Sequence, residues 1–344
     1  MNVRVAAGAL AFALTQGALA HHSFAPHFDA AKRVSIDGTV TEYEPRNPHS
    51  YLHIAAVDEN GRTQEYVCES HGVTQLTRNG IRPDMLAPGT RLRVQGSLSR
   101  HSPHMCFFDT VELEDGRVLS VNGPRGAGAR PAQAAAPRTD IFGRWLLVPA
   151  NRSTSGPQPM MQFLTPAGRA AVAAYDPFRD DPTFRCDPVA IRRVWFAPAT
   201  PLEIVRDGDR VLLKHEWMDV VRVVHLNMRE HPADGPRTSL GHSIGRFEGD
   251  TLVIETANFS AGVLNQYVEV PGEPTRGLPH SEALTSVERV RLDRERQRLV
   301  VEIDLEDPLF FTRKFDTARA EYAPTELELQ PFNCSPESHL GTIR

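Results

Sequence analysis

The sequence predicts a mainly β protein made of two barrels in series, the second larger than the first, with one or two short helices. Three observations carry that expectation. Apolar and polar residues alternate along most of the chain, as half-buried strands require. Asn-Gly, Asp-Gly and Gly-Asp dipeptides recur between the alternating runs, where tight hairpin turns need them. The stretch VNGPRGAGARPAQAAAPRTD, residues 121–140, holds nothing able to bury apolar surface. It reads as a linker, placed at 122–139, between domains at 21–121 and 140–344. A chain of 344 residues is long enough for two such domains.

In the first half, VSIDGTVTEYEP, SYLHIAAVDENGRTQEYVC, RLRVQGSLSR and FFDTVELEDGRVLSV supply about five strands. One short helix is expected at Val73–Arg78, stopped by Asn79-Gly80. Five strands with a helix between the third and fourth suit a small Greek-key barrel of the oligonucleotide/oligosaccharide-binding (OB) type. In the second half, Thr165 as N-cap, Pro166 in the first turn and Asp176-Pro177 as a stop predict a helix in LTPAGRAAVAAYDP. The rest is strand: RVLLKHEW, VVRVVHLNM, TLVIETANF, EALTSVERVRL and RLVVEIDL, with turns at Asp207-Gly208 and Gly249-Asp250. Long antiparallel strands in a domain of this size predict a barrel or curled sheet of lipocalin type.

Residues 1–20 have the form of a secretory signal: Arg4, a short apolar run from Val5 to Thr15, and Ala18-Leu19-Ala20 as the cleavage site. The apolar run is too short to stay in a bilayer as a spanning helix. Cleavage near Ala20 would leave a periplasmic or secreted protein with no transmembrane segment. The net charge of −5 comes without any concentrated run of Lys or Arg, which argues against nucleic acid as a partner. An even set of cysteines, Cys68, Cys106, Cys186 and Cys334, suits disulfides in an oxidising compartment. The simplest pairing is one bridge per domain, Cys68–Cys106 and Cys186–Cys334.

The mature start HHSF, with NPHSYLHI, LAPGTRLRVQGSL and EDGRVLSV, resembles an uncharacterised family of small exported bacterial domains. The second half resembles a companion uncharacterised family through LTPAGRAAVAAYDPFRDDPTFRC, GHSIGRFEGDTLVIET, LPHSEAL and IDLEDP. Phe247 departs from that pattern, where relatives usually carry Trp. The resemblance implies export and a division into two domains, and it implies no particular activity.

Eight of the fourteen histidines precede the linker: His21, His22, His27, His49, His53, His71, His101 and His104. After cleavage His21 would carry a free α-amine beside its imidazole, a chelate resembling the histidine brace of copper oxygenases. A third nitrogen would come from His49 or His22, and a second group of donors from His101 and His104. Imidazole suits Cu(II), Ni(II) and Zn(II), and copper is the favoured cofactor because zinc-type carboxylate–histidine spacing is absent. Binding needs neutral rings, so occupancy is expected to fall below about pH 6. The amino-terminal copper motif with histidine in third place is excluded, since here histidine comes first and second.

The second half offers a different chemistry. In an extended strand LPHSEALTSVERVRL, His280, Glu282, Leu284, Ser286, Glu288 and Val290 share a face. A partly buried His280–Glu282 pair would suit acid–base work, with His242 and His225 alongside. Arg229, Arg246 and Glu255 are the candidates for holding a small, anionic or carbonyl-bearing ligand. Two readings follow. One is an exported copper-binding protein whose second barrel takes a small ligand. The other is a cofactor-independent isomerase, lyase or hydrolase working through the second barrel.

Overall fold

The computed structural model describes residues 27–57, 60–122, 135–148, 153–154, 160–197, 200–268 and 276–336. The leader, His21, His22 and most of the linker lie outside the described residues. The fold is mainly β, in two closed sheets.

The first sheet contains β1 (Phe28–Glu44), β2 (His49–Val57), β3 (Thr63–His71), β4 (Arg91–Ser99), β5 (Met105–Leu113) and β6 (Val118–Ser120), in the order β3-β2-β1-β4-β5-β6. A further parallel pairing of β3 with β5 closes it, and α1 (Val73–Arg78) lies between β3 and β4. This is the OB arrangement. β1 starts earlier than the alternation suggested, because it pairs with β4 as far back as Phe28 through a bulge between Asp29 and Arg33. The same strand turns to β2 through a second bulge between Val40 and Glu42, so one long strand serves two neighbours. Where the β4–β5 register shifts at Gly96, a methyl group there would lie 1.9 Å from the Phe107 carbonyl oxygen, so only glycine fits. Ile36, Leu52, Ile54, Leu76, Val94 and Phe108 fill the interior. The closing β3–β5 pair is short, and Cys68–Cys106 staples it at directly opposed positions.

The second sheet runs β7 (Gly143–Leu147), β9 (Pro201–Asp207), β10 (Arg210–His215), β11 (Val220–His225), β12 (His242–Glu248), β13 (Thr251–Ala257), β16 (Thr285–Asp293), β17 (Arg298–Glu306) and β18 (Phe315–Pro324). β18 returns to pair with β7, Tyr322 opposite Leu147, and the barrel closes. β8 (Ser153–Thr154) adds to β18, and β14 (Gly262–Val268) with β15 (Arg276–His280) forms a separate hairpin. The pairs are antiparallel except β11 with β12, which the long segment 226–241 connects in parallel. Among the helical segments, α2 (Pro166–Ala174) is capped by Thr165, whose Oγ accepts from Gly168 N at 3.0 Å. α3 (Pro177–Asp180) follows it, and α4 (Ile191–Trp195) packs against β14.

Among the described residues, the interior of this barrel holds the charged pair Arg222–Glu288. Arg222 Nη1 and Nη2 each donate at 2.7 Å to a different oxygen of Glu288, whose side chain is fully buried. Trp195 Nε1 and the Ser286 hydroxyl donate to the same carboxylate, at 2.6 and 3.1 Å. Arg222 also donates to Ser243 and Thr256 at 2.9 and 3.1 Å. Ser286, Glu288 and Val290 thus face inward, as alternation requires, amid Trp145, Leu213, Leu252, Ile254 and Val301.

The barrels meet along a seam. Arg78 of α1 forms an ion pair with Glu216, which also accepts from Gln330 N at 2.8 Å. Cys334 is bridged to Cys186 and pairs with Asn47 of the first domain. Both bridges are those of the simplest pairing.

Removing one half of a buried charge pair leaves the other uncompensated. Arg222→Met is expected to lower the unfolding free energy by about 3–5 kcal/mol in urea denaturation. Arg222→Met/Glu288→Met should recover most of that loss; an equal loss in the double variant would show that the pair is not what the site needs.

Candidate functional site

β2 begins with His49 and β3 ends with His71, and the two stand directly opposite each other. His27 precedes β1, where its carbonyl accepts from Arg100 N at 2.8 Å. All three rings are buried. His71 meets Phe107 edge-on at 5.3 Å, while His27 and His49 approach Phe184 of the second domain at 5.8 and 6.4 Å. The seam between the barrels therefore collects histidines against two phenylalanines. His49 Nδ1 lies 3.4 Å from Glu69 Oε1. Burial, reinforced by His49 and His101, pushes the His27 pKa down to about 3, so the ring stays neutral.

His101 is exposed but near enough to influence His27, whereas His104 is exposed and packs on Tyr66 at 5.4 Å. His53, four residues from His49, is held by Glu44 at 3.0 Å. Among the described residues, no three His, Cys, Asp or Glu side chains are placed to hold one metal ion. His21 and His22 lie outside the described residues.

In the second domain the structure separates His280 from Glu282. The expected strand starts only at Thr285. Ahead of it, Ser281 N and Oγ donate to the buried Asp307 carboxylate at 2.7 and 2.6 Å, and Ala283 N donates back to Ser281 Oγ at 3.0 Å. That turn breaks the period-two alternation. His280 is buried at the end of β15, donating from Nδ1 to the Ser281 carbonyl at 3.0 Å, and burial lowers its pKa. Glu282 is 59% exposed and pairs with Arg237 at 3.3 Å.

His242, Ile244, Arg246, Val253 and Glu255 share the outer face, because Ser243 and Thr256 point inward to Arg222. Arg246 and Glu255 form an exposed ion pair, and Arg229 is exposed beyond the end of β11. His225 stacks on His242 at 5.1 Å, and His231 Nδ1 lies 2.9 Å from His242 Nδ1. Burial lowers the pKa of His231 and of His242, the latter further through His231 and His225. The segment between β11 and β12 brings His231 there, and strand parity gave no sign of it.

Residues 9–106 match the model of a family of unknown function, DUF6152. No curated protein matches the chain. Among solved structures, a mutant of the fluorescent protein UnaG aligns over 54% of this chain and 97% of its own, at 14% identity and a TM-score of 0.24, a likeness too slight to bear on function.

His215 offers a test of the buried electrostatics. It packs on Trp195 at 5.3 Å, and burial followed by Arg222 pushes its pKa down to about 3. The unfolded chain protonates a histidine near 6.5, so between about pH 6.5 and 3 protons bind preferentially to the unfolded state. Stability should therefore fall as pH drops through that window, by up to about 1.4 kcal/mol per unit from this residue. Urea midpoints at pH 7 and pH 5 should differ less in His215→Phe; an unchanged difference would assign the acid sensitivity elsewhere.

Proposed function

We propose that this is an exported metal-binding protein that holds a transition metal, copper foremost, at the histidine-rich end of its first barrel. The observation supporting this reading is the gathering of buried His27, His49 and His71 in the seam, with His27 kept neutral by its surroundings. Neutral imidazole nitrogen is the form that binds borderline metals. The described side chains do not complete a site by themselves. In this reading the missing donors are the amine and ring of His21, six residues ahead of His27 in the sequence. His49 is the third nitrogen, and Phe107 and Phe184 supply an apolar wall that limits access of water.

The acid–base reading of the second barrel loses its central pair with the separation of His280 from Glu282.

Isothermal titration of Cu(II) into protein beginning at His21 tests the proposal. Binding is expected to weaken by more than about tenfold when one residue is left ahead of His21, and likewise in His49→Ala. Unchanged affinity with the extension in place would overturn the amino-terminal chelate.

A further inference from the structure

Among the described residues, the deeply buried carboxylates each accept hydrogen bonds, while one buried cation has no such partner. Among the described residues Asp181 accepts from Arg193 at 2.9 Å, Glu288 from Arg222, Asp307 from Ser281 and Glu321 from Arg296. Arg192 is 7% exposed, with no carboxylate, hydroxyl or carbonyl partner, and its Nε is fully enclosed without a hydrogen bond. Its one described polar contact is the face of the Phe196 ring, 5.7 Å from the guanidinium carbon.

A guanidinium does not lose its proton at physiological pH, so burial cannot be relieved by neutralisation. Even with burial lowering its pKa to about 10, Arg192 carries a full charge at neutral pH. Nor can it swing out freely. Ile191 and Trp195, on the same α4 face, are packed into the barrel core, and Trp195 is tied to Glu288. Arg193 is tied to Asp181, and Val194 packs with Val189, Trp217 and Phe332. The helix is pinned on its other sides, and these attachments hold Arg192 inside.

We propose that Arg192 anchors a binding site for a small apolar molecule bearing one carboxylate, where α4 meets β14 on the second barrel. Among the described residues no second unpaired cation stands beside Arg192, which matches a singly charged group better than a phosphate dianion. Phe196, whose ring lies beside the guanidinium, suits an apolar body on the ligand. The site is independent of the proposed metal centre and distinct from Arg229, Arg246 and Glu255.

Thermal unfolding of the full protein, with a chelator present, tests this using decanoate, decanol and inorganic phosphate as probes. Saturating decanoate is expected to raise the midpoint by about 3–6 °C, with decanol and phosphate giving little. In Arg192→Met the decanoate shift should vanish. Without ligand that variant should unfold at or above the natural midpoint, since it removes an uncompensated buried charge. A lower midpoint in Arg192→Met would mean that the guanidinium has a structural partner, and would overturn the proposal. No decanoate shift, an equal shift by decanol, or a larger Arg192-dependent shift by phosphate would overturn it as well.

Discussion

The Glu288 carboxylate receives four hydrogen bonds in the centre of the second barrel, two from Arg222 and one each from Trp195 and Ser286. β11, β16 and α4 are thereby joined at one point, from which water is excluded. An ion pair at such depth is sustained only when its remaining lone pairs and protons find partners. Here Ser243 and Thr256 complete that requirement for Arg222. The position of α4 follows, and with it the burial of Arg192.

A second constraint acts between the barrels. The segment around Cys334 is bridged to Cys186 and hydrogen-bonded to Asn47, so it contacts both halves. Glu216 joins it by accepting from Gln330 N while pairing with Arg78. The effect is to bring Phe184, a residue of the second domain, against His27 and His49 of the first. The seam histidines owe their enclosure to this docking rather than to the first barrel alone.

The two proposed sites differ in how the protein prepares them. At the seam, burial removes charge from a titratable ring and leaves a nitrogen donor ready for a metal. At α4, burial cannot remove the charge of a guanidinium, and in the proposal an anion compensates it.

Strand periodicity, turn dipeptides and capping residues sufficed to read the fold class, the α1 and α2 helices and the inward face carrying Ser286 and Glu288. Those signals are local, and local backbone geometry obeys them. The cysteine count and the halves of the chain gave the disulfide pairing, because each bridge joins residues from the same half. Periodicity failed at His280 and Glu282, where the Ser281–Asp307 turn interrupts the strand through a partner 26 residues away. Arg222, from another strand, decides which faces of β12 and β13 are inner. The contact of Phe184 with His27 and the isolation of Arg192 depend on residues distant in the chain. Only the packed tertiary structure sets which buried groups meet a partner, because burial is a property of neighbours and not of sequence position.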